Sequence, residues 1–369
     1  MIKHNCVSTL NSVIKRNVKK NMSLLAGITM VSALVLTGCG KKVAVSRDVI
    51  GDGSNNEVVT EQTTRDTHPY DISLTFTGDI NLAEGEPTTK ELDKNDGDIT
   101  KCISPELIKY MKDADITLVN NEFCYSDRGE PLANKMWTFR AKPERAKLLN
   151  SLGVDVVQLA NNHVYDYGED AINDTFAAVD GKKIAIVSAS RAEKYKMTPQ
   201  ATESTPGILR CYDTELFIQT IKEAKENADY VIAVVHWGTE HTTVLEDVQR
   251  STARDYIDAG ADIIIGGHSH CLQGIEYYDD KPIFYSLGNF WFDEYNVDTM
   301  LVNIRISGDD DNEGKVELSV VPAIQDGTLS GCVTRICTEE SDKSRIFGLL
   351  NEVSINANVD ADGVVTQVK

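Results

Sequence analysis

The chain lacks the short motifs that mark the commonest nucleotide-binding and serine-dependent enzymes. It contains no Gly-x-x-x-x-Gly-Lys-Ser/Thr phosphate loop and no Gly-x-Ser-x-Gly nucleophile elbow. The pair Gly51-x-Gly53 lies in a polar stretch rather than between a strand and a helix, which argues against a dinucleotide site. Nucleotide-dependent and serine-hydrolase chemistry are therefore disfavoured.

Basic residues are too few for a protein that binds nucleic acid. The chain has 37 Lys and Arg against 57 Asp and Glu, a net charge of −20. The first 38 residues hold five of the basic residues and no acidic ones, so their removal leaves 32 against 57, or −25. Such a surface repels phosphate backbones, and we expect no nucleic-acid partner. Acidic faces are usually only solvated, although they do favour divalent cations.

No apolar run reaches the roughly 20 residues of a membrane-spanning helix. The run Leu24 to Leu36 follows a basic stretch and precedes Leu36-Thr37-Gly38-Cys39, which together describe a signal peptide over residues 1–38. Leu-Thr-Gly-Cys resembles a bacterial lipobox, so we expect lipidation of Cys39 and anchoring at the extracytoplasmic face of the cell membrane. The alternative is an ordinary signal peptide with an unrelated cysteine.

Residues 39–69 are polar and are predicted to form a disordered tether. The 300 residues that follow suffice for one large α/β domain, with residues 70–306 as its main part and residues 307–369 completing it. Six of the 8 cysteines fall in this domain; their spacing matches no zinc knuckle, and their pairing is open. Cys271 follows His270 directly, and a packed thiol is favoured there over a ligand.

Short apolar runs alternate with helical segments in the first part of the domain, which indicates a mainly parallel sheet. Five runs read as buried strands: 72–77, 115–119, 154–160, 230–235 and 261–265. We expect their carboxyl ends to meet at one edge of that sheet. Beyond His270, a hairpin over 274–287 and two strands over 300–306 and 315–321 predict a second, stacked sheet. Residues 341–354 are predicted to form a peripheral helix.

Each of the five runs ends in residues that can bind a metal. Of the 7 histidines, four lie at these ends: His163, His236, His268 and His270. Neutral imidazole is the commonest metal ligand, and Gly266 and Gly267 would let the backbone turn tightly towards one point. The mixture of oxygen and nitrogen ligands suits zinc, manganese or iron rather than calcium. About six ligands suit two ions, a centre whose natural reaction is hydrolysis.

The order of these motifs resembles the CapA family of poly-γ-glutamate capsule biosynthesis proteins, relatives of the calcineurin-like metallophosphoesterases. The motifs that carry the resemblance are Thr77-Gly78-Asp79, Asn121-Glu122, Leu159-Ala160-Asn161-Asn162-His163-x-x-Asp166-x-Gly168, His236-Trp237-Gly238-x-Glu240, Gly266-x-His268-x-His270 and Tyr285-Ser286-Leu287-Gly288-Asn289-Phe290. The resemblance implies a four-layer α/β/β/α sandwich with mixed, mainly parallel sheets and a centre of two divalent ions (Mn, Fe or Zn).

The resemblance also assigns roles to single residues. The implied metal ligands are Asp79, Glu122, Asn162, His236, His268 and His270. His163 would protonate or stabilise the leaving group, Asp166 would orient His163, and residues 286–290 would form a loop beside the site. Two departures from the family are visible. About one strand-loop unit is missing near Asp180, and Asn120-Asn121-Glu122 leaves open which asparagine faces the metal.

Two functions remain open at this point. The first is a metal-dependent hydrolase at the membrane surface, which cuts a phosphoester or trims a polyglutamate-like capsular polymer. The second is a non-catalytic metal-binding component that works with the proteins of capsule synthesis or export. The acidic composition is awkward for a polyanionic polymer and mildly favours metal bridging or another substrate.

The anchor can be tested without knowledge of the substrate. Cys39→Ser should move the protein from the membrane fraction to the soluble fraction, because the variant offers no thiol for lipidation. The measurement is immunoblotting of fractionated cells. A variant that stays fully membrane-bound would show that the lipoprotein prediction is wrong.

Overall fold

The computed structural model of the chain describes residues 70–178, 186–191, 198–202, 205–226, 228–292, 295–309, 312–327 and 331–369. All of them belong to the second of two structural units, Thr67–Lys369. The predicted signal peptide, Cys39, the predicted tether and the shortened segment near Asp180 lie outside the described residues. In the part that is described, no helix combines the length and the apolar character needed to cross a bilayer.

The described residues form sixteen strands and seven α-helices. The strands are β1 (Tyr70–Ile80), β2 (Ile116–Asn121), β3 (Cys124–Tyr125), β4 (Arg140–Ala141), β5 (Val156–Gln158), β6 (Val187–Ser190), β7 (Ile232–His236), β8 (Ile263–Gly267), β9 (Ile275–Tyr278), β10 (Lys281–Phe284), β11 (Asn289–Trp291), β12 (Val297–Asp309), β13 (Asn312–Gln325), β14 (Thr334–Ile336), β15 (Ala357–Val359) and β16 (Val365–Gln367). The helices are α1 (Pro87–Lys94), α2 (Pro105–Asp113), α3 (Ala146–Leu152), α4 (Gly168–Ala178), α5 (Glu215–Lys225), α6 (Asp247–Asp258) and α7 (Glu340–Val353).

Two large sheets carry the fold, and both mix parallel and antiparallel pairs. The first has seven strands in the order β14-β13-β12-β1-β2-β5, with β11 also paired to β1. Strand β1 runs parallel to β2 and β11 and antiparallel to β12. The second sheet has the order β6-β7-β8-β10-β9, in which only the hairpin pair β9–β10 is antiparallel.

The expectation that all five predicted strand ends share one sheet is wrong. Strands β1, β2 and β5 belong to the first sheet, whereas β7 and β8 belong to the second. The physical reason lies at β1, whose second side is taken by the long antiparallel strand β12 through seven paired residues. Since β7 and β8 cannot pair there, they form their own sheet with the β9–β10 hairpin.

Alternate residues of the second sheet enter different cores. Ile232 and Val234 of β7 lie in one buried cluster with Phe76 of β1 and Leu118 of β2, so this cluster joins side chains of both sheets. Ala233 and Val235 lie instead in a cluster with residues of α5 and α6. A third cluster packs side chains of the first sheet against α1, α2 and α3. Both faces of these strands are thus covered, as their continuous apolar runs predict.

Local signals place most element ends correctly. Ser104 caps α2 by accepting a hydrogen bond from the Leu107 backbone N–H, and α3 ends at Gly153 in the left-handed conformation. The predicted β9–β10 hairpin is confirmed. The predicted C-terminal helix is confirmed as α7, but it is not peripheral. It buries Ile346, Phe347 and Leu350 in the cluster between the sheets, because three apolar side chains share one helix face.

The six cysteines of the described residues form no disulfide bonds with one another. Cys102, Cys124, Cys211, Cys332 and Cys337 are buried, and Cys271 is partly buried. Burial raises the pKa of Cys102 and of Cys337 to about 11 each, which keeps them protonated at neutral pH. These residues act as small packed side chains.

Gly78 in β1 allows this strand to approach the backbone at Gly288 closely, next to the predicted ligand Asp79. A Cβ at Gly78 would lie 1.9 Å from the Gly288 carbonyl oxygen, so Gly78→Ala must displace that loop. We expect a loss of about 1–3 kcal/mol or more in the free energy of unfolding. Urea denaturation measures it.

Gly348 is the matched control, since it lies inside α7 and a Cβ there meets open space. Gly348→Ala should leave stability unchanged or raise it by about 0.5–1 kcal/mol. Equal stability of Gly78→Ala and the wild type would contradict the proposed close approach.

Candidate metal centre

Asp79 lies at the end of β1, fully buried between neighbouring strands. Its Oδ1 accepts a hydrogen bond from Asn120 Nδ2 at 2.6 Å, and its Oδ2 lies 3.5 Å from His270 Nδ1. Burial opposes ionisation, but the contact with His270 and the nearby His236 prevail and hold the pKa of Asp79 below its usual value. Asp79 therefore carries a negative charge at neutral pH.

Glu122 directly follows β2 and is also fully buried. Neither of its carboxylate oxygens has a hydrogen-bond partner among the described residues. Burial, together with the charge of Asp79, raises the pKa of Glu122 well above its usual value. A buried carboxylate without a donor is costly, so this side chain needs either a proton or a cation.

Three histidines lie next to these carboxylates, at the ends of β7 and β8. His236 Nε2 lies 2.6 Å from Asn162 Oδ1, 3.2 Å from Glu122 Oε1 and 3.0 Å from His268 Nδ1. Burial lowers the pKa of His236 to about 3 and that of His268 well below its usual value. Both rings are therefore neutral at neutral pH, which is the form that binds a metal.

The turn after β8 is made by the histidines and not by the glycines, contrary to expectation. His268 and His270 have φ values of 89° and 56°, in the left-handed region that non-glycine residues seldom adopt. Gly266 and Gly267 remain in β8, where a Cβ would lie 2.0 Å from the Tyr285 oxygen and 2.9 Å from Asp79 Oδ1 respectively. The glycines thus permit close approach, while strained backbone aims the imidazoles.

The side chains form overlapping groups with the spacing of metal ligands. One group contains Glu122, His236 and His268, and another contains Asp79, Glu122 and His270; within each group the ligand atoms lie within 4.8 Å of one another. Glu122 is common to both. The unpartnered oxygens of Glu122 and the mixture of imidazole and carboxylate donors fit divalent transition-metal ions.

The open choice between the two asparagines of β2 is settled by their contacts. Asn120 Nδ2 lies 3.1 Å from His236 Nδ1 as well as contacting Asp79, and Asn161 Nδ2 donates to Asn120 Oδ1 at 3.2 Å. Asn121 Nδ2 instead donates to the Phe123 carbonyl. Asn120 therefore faces the predicted centre.

His163 and Asn162 point to different partners although they are adjacent in the chain. Asn162 meets His236, whereas His163 Nδ1 lies 2.6 Å from Asp166 Oδ2. His163 Nε2 lies 4.0 Å from Glu122 Oε1. Burial is the largest influence on the pKa of His163 and lowers it, against the opposing effect of Asp166.

Several residues beside the centre escaped the sequence analysis. Lys135 contacts Asp166 Oδ1 and donates to the Asn162 carbonyl at 2.5 Å. Phe139 packs on His163 with ring centroids 4.3 Å apart, and Phe292 packs on His270 at 4.6 Å. Lys135 and Phe139 belong to a segment with no strand or ligand pattern, and an aromatic residue by itself indicates only a core position. No sequence signal marked them.

A buried arginine also lies close to the centre. Arg191 follows β6, and its backbone N–H donates to the His236 carbonyl at 2.9 Å. Its Nη2 lies 3.5 Å from Glu246 Oε1, while Nε and Nη1 are buried with no hydrogen-bond partner among the described residues. A buried guanidinium with unused donors is suited to binding an anion.

The remaining motif residues divide between the rim and the core. Glu240 Oε1 lies 3.7 Å from His268 Nε2, and Glu240 also groups with His268 and His270 as a candidate ligand set. Residues 289 and 290 of the predicted loop belong instead to β11, and Asn289 places Oδ1 2.8 Å from His270 Nδ1. Trp237 is buried and donates through Nε1 to the Tyr285 carbonyl. Cys271 is absent from the candidate ligand groups of the described residues.

Comparison with known proteins points to one family. Residues 73–208 and 187–294 match the model of a family described as bacterial capsule synthesis protein PGA_cap. The chain is 38% identical over 186 residues to the PGA biosynthesis protein CapA of Bacillus subtilis, covering 44% of this chain and 49% of that protein. It is 29% identical over 317 residues to the capsule biosynthesis protein CapA of Bacillus anthracis, covering 76% and 73%.

A probable polyglutamine synthesis accessory protein of Mycobacterium tuberculosis is 28% identical over 211 residues, covering 47% of this chain and 55% of that protein. The matched region thus spans about half the length of the B. subtilis and M. tuberculosis relatives.

Glu122 offers a test of the centre. We expect Mn²⁺ to raise the unfolding temperature of the wild-type chain but not of Glu122→Gln, because the variant has lost the shared charged ligand. An ion at 100 times its Kd stabilises a fold by about 2.7 kcal/mol. In EDTA the variant should be at least as stable as the wild type, because its amide is neutral without having to bind a proton or a cation. Differential scanning calorimetry measures both effects.

The control is Glu84→Gln, whose carboxylate pairs with Arg145 and belongs to none of the ligand groups. It should keep the full response to Mn²⁺. Elemental analysis of His268→Ala/His270→Ala gives a second reading, and a metal content equal to that of the wild type would rule the centre out.

Proposed function

The chain belongs to the PGA_cap family of bacterial capsule synthesis proteins, and on that basis we propose that it is a metal-dependent hydrolase of capsule biosynthesis. The observation that carries the proposal is the fully buried Glu122, whose unpartnered oxygens lie among neutral imidazoles. Nothing in folding requires that arrangement, whereas a divalent cation would satisfy it.

The proposed architecture is the four-layer α/β/β/α sandwich of the calcineurin-like metallophosphoesterases. It is supported by the buried cluster shared by the two sheets and by the clusters that join each sheet to helices. In this arrangement the ligand-bearing ends of β1, β2 and β5 face those of β7 and β8. Ligands contributed by two sheets would enclose the ions at the edge where the sheets meet.

The overlapping ligand groups would hold two ions, and both groups include Glu122. Glu122, Asn162, His236 and His268 would hold one ion, and Asp79, Glu122 and His270 the other. Bound ions of zinc, manganese or iron would supply Lewis-acid activation and stabilise the charge that develops on an ester or amide during hydrolysis.

The residues around this centre would position the substrate and move a proton. Asp166 fixes the His163 ring through Nδ1, so Nε2 is the nitrogen that faces Glu122 and the reacting groups. In its protonated form His163 would donate a proton from Nε2 to the leaving oxygen; burial lowers its pKa, so this form is less populated at neutral pH but is a stronger acid. Arg191 would attract an anionic substrate towards β7.

The proposed substrate class is supported by the charge of the site and by the names of the relatives. A phosphoester or a polyglutamate-like capsular polymer is anionic, in keeping with Arg191 and with two cations. We place the protein at the extracytoplasmic face of the membrane, held by the lipidated Cys39 and close to the proteins of capsule synthesis or export.

A second function is favoured by one observation. The predicted mature chain carries a net charge of −25, which repels a polyanionic polymer. In this alternative the chain is a non-catalytic, metal-binding component of a capsule synthesis or export complex. The two functions differ in whether His163 matters to any turnover.

Replacement of His163 separates the two functions. With Mn²⁺ and bis(4-nitrophenyl) phosphate as a generic phosphodiester, His163→Ala should lose about 10²–10⁴-fold in rate. It should retain its metal, because His163 belongs to none of the candidate ligand groups of the described residues. Rates come from released nitrophenolate and metal content from elemental analysis.

Loss of metal together with activity would make His163 a ligand. A wild-type chain that binds metal but hydrolyses neither the diester nor a γ-linked glutamate polymer would favour the non-catalytic function.

A further inference from the structure

Two of the most exposed large apolar side chains of the described residues lie close in the chain to residues that contact His163. Met136 is 86% exposed and Trp137 is 63% exposed. Both belong to the segment 135–139, whose end residues, Lys135 and Phe139, contact His163 or its partners. An apolar surface is thus presented next to the predicted reacting groups.

The segment is fastened at both ends. Lys135 contacts Asp166 and the Asn162 carbonyl, and the Phe139 backbone N–H donates to Asp166 Oδ2 at 2.7 Å. The Phe139 carbonyl accepts the Cys124 backbone N–H at 3.1 Å. Trp137 thus belongs to a short segment whose two end residues are fixed beside His163 and Asp166.

The other tryptophans show how this fold uses the residue when packing is its purpose. Trp237 and Trp291 are fully buried, and each donates through Nε1 to a backbone carbonyl. The Trp137 ring remains largely in water. An indole fixed in that position has an amphipathic face, and covering this face with a ligand would lower the free energy.

The net charge of the chain indicates which kind of contact a ligand would make with Trp137. A net charge of −20 opposes an anionic substrate at long range, and the Lys135 ammonium is already paired with Asp166. Beyond the attraction of Arg191 and of bound ions, affinity for an anionic substrate would therefore gain from a contribution that does not depend on charge. Contact between an aromatic ring and aliphatic C–H groups is such a contribution.

We propose that Trp137 is the platform for the non-reacting part of the substrate, an aliphatic C–H face attached to the anionic group that enters the metal centre. This inference rests on the proposed function and specifies its substrate class. The methylenes of a γ-linked glutamate chain and the ring of a sugar phosphate share this chemistry. Inorganic phosphate has the charge but lacks the C–H face.

Fluorescence isolates this residue, because Trp137 is the exposed one of the chain's 3 tryptophans. The full chain, loaded with Mn²⁺, is titrated separately with a γ-linked glutamate oligomer, glucose 1-phosphate and inorganic phosphate. A probe with a C–H face should shift the emission to shorter wavelength and lower acrylamide quenching to the level of Trp137→Phe. Inorganic phosphate should do neither, and the two carbon-bearing probes identify the source.

Variants give a second reading. Trp137→Ala should raise the Kd of the effective probe by about tenfold, whereas Trp137→Phe should retain most of the affinity. Tyr110→Ala is the matched control: Tyr110 is 43% exposed on α2, and its loss should change nothing.

The outcomes separate this inference from the proposed function. If a probe protects Trp137 from acrylamide quenching but is never hydrolysed, the result supports the platform and contradicts the proposed hydrolase activity. Hydrolysis without protection leaves the hydrolase standing and overturns the platform. Protection by phosphatidylcholine vesicles alone, or by raising the protein concentration alone, would assign Trp137 to a membrane or to a second copy of the chain. The platform is also wrong if no probe protects.

Discussion

The charge balance of the candidate centre depends on Glu122, a buried carboxylate without a hydrogen-bond donor among the described residues. Its oxygens lie 3.2 Å from the nearest His236 nitrogen, and the rings of His236 and His268 are held neutral by their own burial. Neutral imidazoles cannot balance the charge of an ionised carboxylate. The neighbouring Asp79 is ionised through its contact with His270, and its charge raises the pKa of Glu122 further. Divalent cations are the partners that would satisfy the carboxylates and imidazoles together.

The fold supports this concentration of polar groups with unusual backbone geometry. His268 and His270 adopt left-handed φ values, and Gly78, Gly266 and Gly267 allow neighbouring segments to approach where a Cβ would clash. Strain of this kind persists only where the surrounding structure holds it in place. Here the two large sheets, which pack on helices and on each other, supply that rigidity, so the polar groups at their edges keep their positions.

Much of the local structure could be predicted from residue patterns alone. Ser104 before Pro105 marks the start of α2, and Gly153 marks the end of α3, because these signals act within one turn of chain. The apolar runs before Asp79, His236 and His268 predict buried strands that end in polar residues. Sheet membership could not be predicted, because it depends on β12, a strand more than 200 residues after β1 that occupies β1's open edge.

For the candidate centre, too, some features could be predicted from the sequence and others depend on the tertiary structure. The sequence by itself determined which side chains could bind a metal, since each of the predicted strands ends in residues with oxygen or nitrogen ligand atoms. Only the tertiary structure decided that Asn120 rather than Asn121 faces the centre, that Lys135 and Phe139 hold His163, and that α7 belongs to the core. These contacts join residues far apart in the chain or depend on which way a side chain turns. The physical reason is that periodicity and capping act over a few residues, whereas such contacts exist only once distant segments have packed.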